Sequence, residues 1–263
     1  MRANALRAAW NAGNHTINAW CSIPSSFSAE VMAHQGFDSV TVDMQHGVID
    51  YQAMVGMLQA ISTTATTPMV RVPWREPGII MKSLDAGAYG IICPMVNNRE
   101  QAQELVAYAS YPPRGTRSFG PIRALIYGGA DYPQHANDEV LTIAMIETAE
   151  AMDNLDAIMS VEGLDGIYVG PADLSNALGC TPKFDQEEKP VVDAINEIIA
   201  CAKRNNIFAG IHCGSTAYAK QMHTLGFNFI TLLSEARMMA AQAKKMADEM
   251  RDQTPAAQAS GTY

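Results

Sequence analysis

The sequence predicts an α/β fold, a single (β/α)8 TIM barrel, on three observations. Short apolar runs alternate with amphipathic stretches of helical spacing about eight times along the chain. Strands separated by helices pair in parallel, and eight such units close into a barrel. The 263 residues fit that architecture without a second core. Finally, Gly36-Phe37, Gly87-Ala88, Gly163-Leu164 and Gly226-Phe227 each follow a helical pattern. A left-handed glycine there ends the helix and returns the chain to the sheet.

The elements follow in order. An apolar run at Ile17–Ser22 is the first expected strand, with an amphipathic helix at Ser26–Gln35. The second pair is Ser39–Asp43 and Tyr51–Ser62, the third Met69–Val72 and Pro77–Ala86, and the fourth Gly90–Pro94 and Arg99–Ala109. The rhythm then breaks. Ser110 to Glu139 is rich in Pro, Gly and Arg, and a long irregular loop inside a domain is usually functional. Following the fourth strand, it is expected at the active-site end. The fifth pair is Thr142–Glu147 and Ala149–Ser160; the sixth is Gly166–Val169, an irregular stretch at Gly179–Pro190, and a helix at Val191–Arg204. Phe208–Cys213 with Thr216–Leu225, and Phe229–Leu233 with Glu235–Arg251, complete eight. Residues 1–253 thus read as one barrel domain and 254–263, without apolar periodicity, as a flexible tail.

Composition excludes several classes of function. With 48% hydrophobic and 17% charged residues the chain is globular rather than disordered. A net charge of −9 with scattered basic residues argues against a nucleic-acid groove. No run approaches the roughly 18 apolar residues of a membrane span, and the start lacks the apolar core of a secretory signal. A cytoplasmic setting is expected. The five cysteines form no CxxC pair, which fits reduced thiols, and none is assigned to catalysis.

Catalytic groups in such barrels come from the carboxyl ends of several strands. Those ends carry Asp43 and His46 after the second strand, Arg71 in the third, Glu147 after the fifth and Asp173 after the sixth. Two carboxylates at one end of a parallel sheet suit a hard divalent cation. Simpler roles compete: Glu147 and Asp173 as helix-terminal acids, His46 as a loop cap, Arg71 and Asp43 as ion-pair members, and Asp85 as a surface or capping acid.

The segments Phe37-Asp-Ser-Val-Thr-Val-Asp43-Met-Gln-His46-Gly, Pro68-Met-Val-Arg71-Val-Pro-Trp, Pro94-Met-Val-Asn-Asn, Tyr111-Pro-Pro-Arg-Gly-Thr-Arg117, Ile146-Glu147-Thr and Val169-Gly-Pro-Ala-Asp173-Leu-Ser resemble the HpcH/HpaI family of class II pyruvate aldolases. The resemblance runs from about Trp20 to Arg237 and includes the 4-hydroxy-2-oxoheptanedioate and 2-keto-3-deoxy-sugar-acid aldolases. It implies Mg2+, Mn2+ or Co2+ held by Glu147 and Asp173 with waters, and a 2-oxo acid chelated to it. The amides of Ala172 and Asp173, after Gly170 and Pro171, would take the substrate carboxylate. Arg71 would face the developing oxyanion, His46 would be the base, and Asp43 would orient its imidazole. Asp85 would act on a neighbouring subunit's histidine, in a hexamer built as a trimer of dimers with the final helix exchanged. The acceptor aldehyde would lie under the Ser110 to Glu139 loop, near Arg123. Met145 stands where relatives often carry Gln, and this departure predicts tolerance of hydroxypyruvate beside pyruvate.

Three other readings compete. A Schiff-base aldolase needs a lysine in the barrel, and none of Lys82, Lys183, Lys189, Lys203, Lys220, Lys244 and Lys245 falls on an expected strand. An acyl-CoA lyase of the citrate lyase β type would carry a basic patch, which is not evident. A non-catalytic barrel subunit has no reason to assemble Asp43, His46, Arg71, Glu147 and Asp173.

Overall fold

The computed structural model describes residues 1–251. Eight parallel strands close in sequence order: β1 (Thr16–Cys21), β2 (Ser39–Asp43), β3 (Thr67–Arg71), β4 (Gly90–Cys93), β5 (Leu141–Ile146), β6 (Gly166–Val169), β7 (Phe208–Cys213) and β8 (Phe229–Leu232). Pairing of Thr16 with Phe229 joins the last strand to the first. The expected strands all form, within two residues at any end. The expected tail, residues 254–263, lies wholly outside the described residues.

The helices are α1 (Ala5–Asn11), α2 (Ser26–Ala33), α3 (Tyr51–Ile61), α4 (Pro77–Asp85), α5 (Arg99–Ala109), α6 (Ile122–Gly128), α7 (Tyr132–Glu139), α8 (Ala149–Asp153), α9 (Leu155–Met159), α10 (Pro171–Ala177), α11 (Lys189–Arg204), α12 (Thr216–Leu225) and α13 (Glu235–Met250). The helix expected over Ala149–Ser160 is broken at Asn154, whose side-chain amide donates to the carbonyls of Asn97 and Glu150. Helices α1, α6, α7 and α10 were not expected from periodicity. They are seven or eight residues long, too short for a helical repeat to stand out.

The segment from Ser110 to Glu139 lies elsewhere than expected. It follows α5, not β4 directly, and leads into β5. A connection from helix to strand sits at the amino end of a parallel barrel, opposite the catalytic end. Its contacts agree: Gly128 O accepts from Arg2 N–H, and Tyr111 and Asn137 bond to each other near the start of β5.

Strand parity divides the interior into two cores. Ala19, Val40, Val70, Ile91, Ala144, Ile167, Ile211 and Ile230 point outward and bury against the helices. Trp20, Met69, Ile92, Ile143, Met145, Tyr168 and Phe229 point into the barrel. Helix α1 plugs the amino end with Leu6 and Trp10, fully or almost fully buried. Asn4 caps it and also donates to the carbonyls of Tyr89 and Glu139, tying the plug to the rim. The carboxyl end is left for a site.

Helix α13 behaves differently. Of its sixteen residues only Glu235 is buried, whereas Met239, Met246 and Met250 are 61%, 58% and 86% exposed. It is the last of the eight helices expected around the barrel, and it meets the core through Glu235 and the partly buried Met238 near its start.

Candidate active site

At the carboxyl ends of the strands lies a cavity of about 220 Å³. Asp43, His46, Arg71, Met145 and Gly170–Asp173 line it, together with Trp20, Ser22, Tyr168, Phe184, His212, Ser234 and Arg237. Parity explains the convergence: Asp43 and Arg71 are register partners on adjacent strands, and both side chains turn inward.

Arg71 holds Asp43 in a two-point fork, Nε to Oδ1 at 2.8 Å and Nη2 to Oδ2 at 2.6 Å. The guanidinium also lies 4.8 Å from the Trp20 ring, and the indole N–H donates to Asp43 Oδ2. Burial alone would raise the Asp43 carboxyl, but Arg71, Trp20 and the His46 amide outweigh it and hold Asp43 below its ordinary range. Arg71 is kept fully cationic by the same pairing.

Asp43 reaches His46 by a different route from the one expected. Its Oδ1 accepts from the backbone N–H groups of Gln45 and His46, at 3.0 and 3.3 Å. The carboxylate therefore shapes the turn that carries the histidine, and its hydrogen bonds do not go to the imidazole. Gly47 completes that turn. A Cβ there would meet Asp43 O at 2.2 Å, so only glycine fits. The His46 side chain stands exposed at the cavity rim.

Glu147 directly follows β5 and is 2% exposed. It does not line the cavity itself but lies directly behind Gly170. A Cβ on Gly170 would come within 2.6 Å of Glu147 Oε2. Glu147 Oε1 accepts from Met95 N–H at 2.8 Å, and Met95 adopts φ 56° to present it. Burial, together with the charge of Asp173, pushes Glu147 up to about 7 against the pull of Met95 and Arg71.

Asp173 is the third residue of α10, with Gly170 at the N-cap. Two neighbouring carboxylates, one buried and reluctant to ionise, form a donor set that a hard cation would relieve. Among the described residues no cluster of three or more His, Cys, Asp or Glu side chains forms a metal cage. A two-carboxylate site completed by substrate and water is a usual arrangement for Mg2+.

A family profile described as HpcH/HpaI aldolase/citrate lyase matches residues 17–243. The chain belongs to the HpcH/HpaI aldolase/citrate lyase family. Among its HpcH/HpaI relatives is the hydroxypyruvate/pyruvate aldolase of Rhizorhabdus wittichii, 42% identical over 94% of this chain and 99% of that one. The 4-hydroxy-2-oxo-heptane-1,7-dioate aldolase of Salmonella dublin is 35% identical over 99% of both chains. A solved HpcH/HpaI family protein from Burkholderia cenocepacia superposes with a TM-score of 0.85 at 31% identity, covering 90% of this chain and 95% of that one.

Two residues of the expected set, Asp85 for a neighbouring subunit's site and Arg123, are engaged elsewhere within this chain. Asp85, at the end of α4, pairs with Arg117 at 2.6 Å. Arg123, in α6, donates to the carbonyl of Ala86 and to Ser62 Oγ, where α3 and α4 end. Neither lines the cavity of its own chain. The placement of the acceptor under the Ser110 to Glu139 loop of the same chain is therefore corrected, because α5 carries that loop to the other end of the barrel.

Trp20, Tyr168, Phe184, His212 and Arg237 were not singled out in the sequence. Trp20 and His212 share the inward parity of their strands and lie close to the carboxyl ends. Reading parity in β1 and β7, as in β2 and β3, would have found them. No lysine lines the cavity, in keeping with the sequence argument against a Schiff base.

Proposed function

We propose that this chain catalyses reversible aldol addition and cleavage between a 2-oxo acid, pyruvate or hydroxypyruvate, and an aldehyde, with Mg2+, Mn2+ or Co2+ bound to Glu147 and Asp173. The full-length similarity to named aldolases makes it a carbon-carbon lyase. The observation that carries the reading is the meeting of His46 and the Arg71–Asp43 pair in one cavity whose wall, Gly170–Asp173, backs onto Glu147.

The cation supplies Lewis-acid polarisation of the 2-oxo group when bound. The residues do the rest. Arg71 has donors beyond the two given to Asp43, and these meet the oxygen on which charge develops. Asp43 keeps the guanidinium from swinging, so little reorganisation is needed as charge builds. His46 takes the proton from the carbon beside the carbonyl and returns it in the reverse sense. The Gly170–Asp173 turn receives the substrate carboxylate on the Ala172 and Asp173 amides. Met145 offers a pliable thioether to the donor, compatible with either a methyl or a hydroxymethyl group.

Asp85 and Arg123 serve the reaction only from a neighbouring subunit, in a hexamer built as a trimer of dimers that exchanges α13. The methionines exposed on α13 support the exchange, as do Phe27 and Val31 on α2, 72% and 44% exposed. No helix among the described residues is long and apolar enough to cross a membrane, and five free cysteines, four of them buried, suit a reducing cytoplasm.

The deciding experiment is an aldol and retro-aldol panel on metal-stripped enzyme with single ions restored. Activity should return only with a cation and should survive borohydride in the presence of pyruvate. Full activity after exhaustive chelation, or a borohydride-trapped lysine adduct, would overturn the reading.

A further inference from the structure

We infer that His212 is a hydroxyl-recognition residue: a neutral imidazole that presents its Nε2–H to the cavity and binds a substrate hydroxyl. The inference rests on the aldolase reading and names the group that selects hydroxylated substrates within it.

Position comes first. His212 lies one residue from the end of β7 and lines the cavity, with 9% of its surface exposed. Its ring is clamped between Phe184, stacked at 4.6 Å, and the edge of Trp20 at 5.2 Å. Its Nδ1 lies 3.1 Å from the Tyr168 hydroxyl.

A buried polar chain stands behind Tyr168. Inside the barrel, Asn18 Oδ1 accepts from Ser39 Oγ at 2.7 Å and Thr41 Oγ1 at 3.1 Å. Asn18 Nδ2 then donates to Thr231 Oγ1 at 3.0 Å. Thr231 and the Tyr168 hydroxyl are hydrogen-bonded in turn. The phenol O–H, a far stronger acid than a neutral imidazole N–H, is the donor to His212 Nδ1. The imidazole is thus held as the Nε2–H tautomer, and Nε2 is its remaining polar atom.

The ring is also neutral. Burial, with the nearby charges of Arg71 and Arg237, pushes His212 down to about 3. The substrate carboxylate is assigned to the Ala172 and Asp173 amides on another wall of the cavity. A neutral N–H between two aromatic rings is matched instead to a neutral oxygen. Gly210, two residues earlier, leaves room for the Tyr168 ring, since a Cβ there would lie 2.7 Å from Tyr168 Cδ2. A buried, uncharged thread across β2, β1, β8, β6 and β7 is costly unless every member is satisfied, and its outcome here is one fixed tautomer at the cavity wall.

The hydroxyl has two sources, the donor and the acceptor, and two substrate pairs separate them. One arm compares kcat/KM for hydroxypyruvate and pyruvate with a fixed acceptor. The other compares glycolaldehyde and propanal with pyruvate as donor. In His212→Leu one of these ratios should fall about tenfold, the worth of one buried neutral hydrogen bond. His212→Gln, which keeps an N–H donor, should recover part of it. Tyr168→Phe should lower the same ratio by less, because the tautomer is then free to change. A ratio is insensitive to the folded fraction, so a merely structural role would leave it unmoved. If neither ratio shifts in His212→Leu, or in Tyr168→Phe should the leucine variant not fold, the inference is wrong. Exchange of pyruvate methyl protons in D2O by the metal-loaded wild type tests the underlying aldolase reading separately, because no acceptor is involved.

Discussion

Arg71 grips both oxygens of Asp43, at 2.8 and 2.6 Å, from the neighbouring strand, and the same carboxylate holds the backbone of His46. One acid thereby positions the two groups assigned to charge stabilisation and proton transfer. Asp43→Asn leaves Arg71 buried without its counter-charge. A loss of about 3 kcal/mol in stability is expected, together with a fall of at least about 100-fold in kcat. Arg71→Lys should lose activity comparably, since an ammonium cannot reproduce the fork. Urea midpoints and steady-state rates check both; wild-type turnover in either variant would refute the assignment.

The acid side of the stability profile carries a second signature of that pair. Asp43 is held below its unfolded value, so the unfolded chain binds the proton first as pH falls. Its contribution is present in full above the unfolded carboxylate range and is lost as pH drops through the folded value. Asp43→Asn should remove that part of the acid limb of a stability–pH curve.

Glu147 has the opposite sign. Its folded value is raised from 4.5 to about 7, so between those pH values the native state holds a proton that the unfolded state has released. Stability of the metal-free protein should decline across that window, by about 3 kcal/mol at most from this group. Glu147→Gln should flatten the slope. Added Mn2+ should bind more tightly as pH rises from 6 to 8 and restore stability at neutral pH. Calorimetry with and without metal would measure both effects.

Gly170→Ala tests the cradle. The new methyl would stand 2.6 Å from Glu147 Oε2 and 3.0 Å from Met145 Cε, and the Glu147 carboxylate must move to accommodate it. Mn2+ affinity should fall at least about tenfold, at a cost in stability of about 1–3 kcal/mol. Titration followed by the Mn2+ spin resonance signal reads the first quantity directly. Unchanged affinity would mean that Glu147 is not a ligand.

Complementation tests the role of Asp85 across a subunit boundary. Asp85→Ala and His46→Ala should each be nearly inactive alone. Reassembled as a random mixture, they should recover roughly a quarter of wild-type sites, because one pairing unites an intact His46 with an intact Asp85. No recovery from mixed oligomers would confine Asp85 to its contact with Arg117.

The barrel was legible because its signal is redundant: eight strands repeat one pattern, and an error at any boundary shifts only a residue or two. Asp43, His46, Arg71 and Asp173 were legible for a related reason. Strand ends can be read from where an apolar run stops, and all strand ends of one sense share a face. Asp85 and Arg123 lay beyond such reasoning, since within this chain each is engaged far from the cavity. The loop after Ala109 was misplaced because α5 reverses the chain before the loop begins, and a count of strands alone does not register that reversal.

Local pattern, then, determined the fold class, the order of the strands and the end at which chemistry would gather. Those depend on periodicities of two and 3.6 residues, which are properties of neighbours along the chain. Only the closed structure decided that Asp43 would spend its oxygens on Arg71 and on backbone amides, and that Glu147 would sit behind Gly170. It likewise decided that five strands would thread a polar chain from Ser39 and Thr41 through Asn18 to His212. Each of these depends on which side chains closure of the barrel brings within 3 Å or so of one another, and hydrogen bonds and desolvation are set at that range.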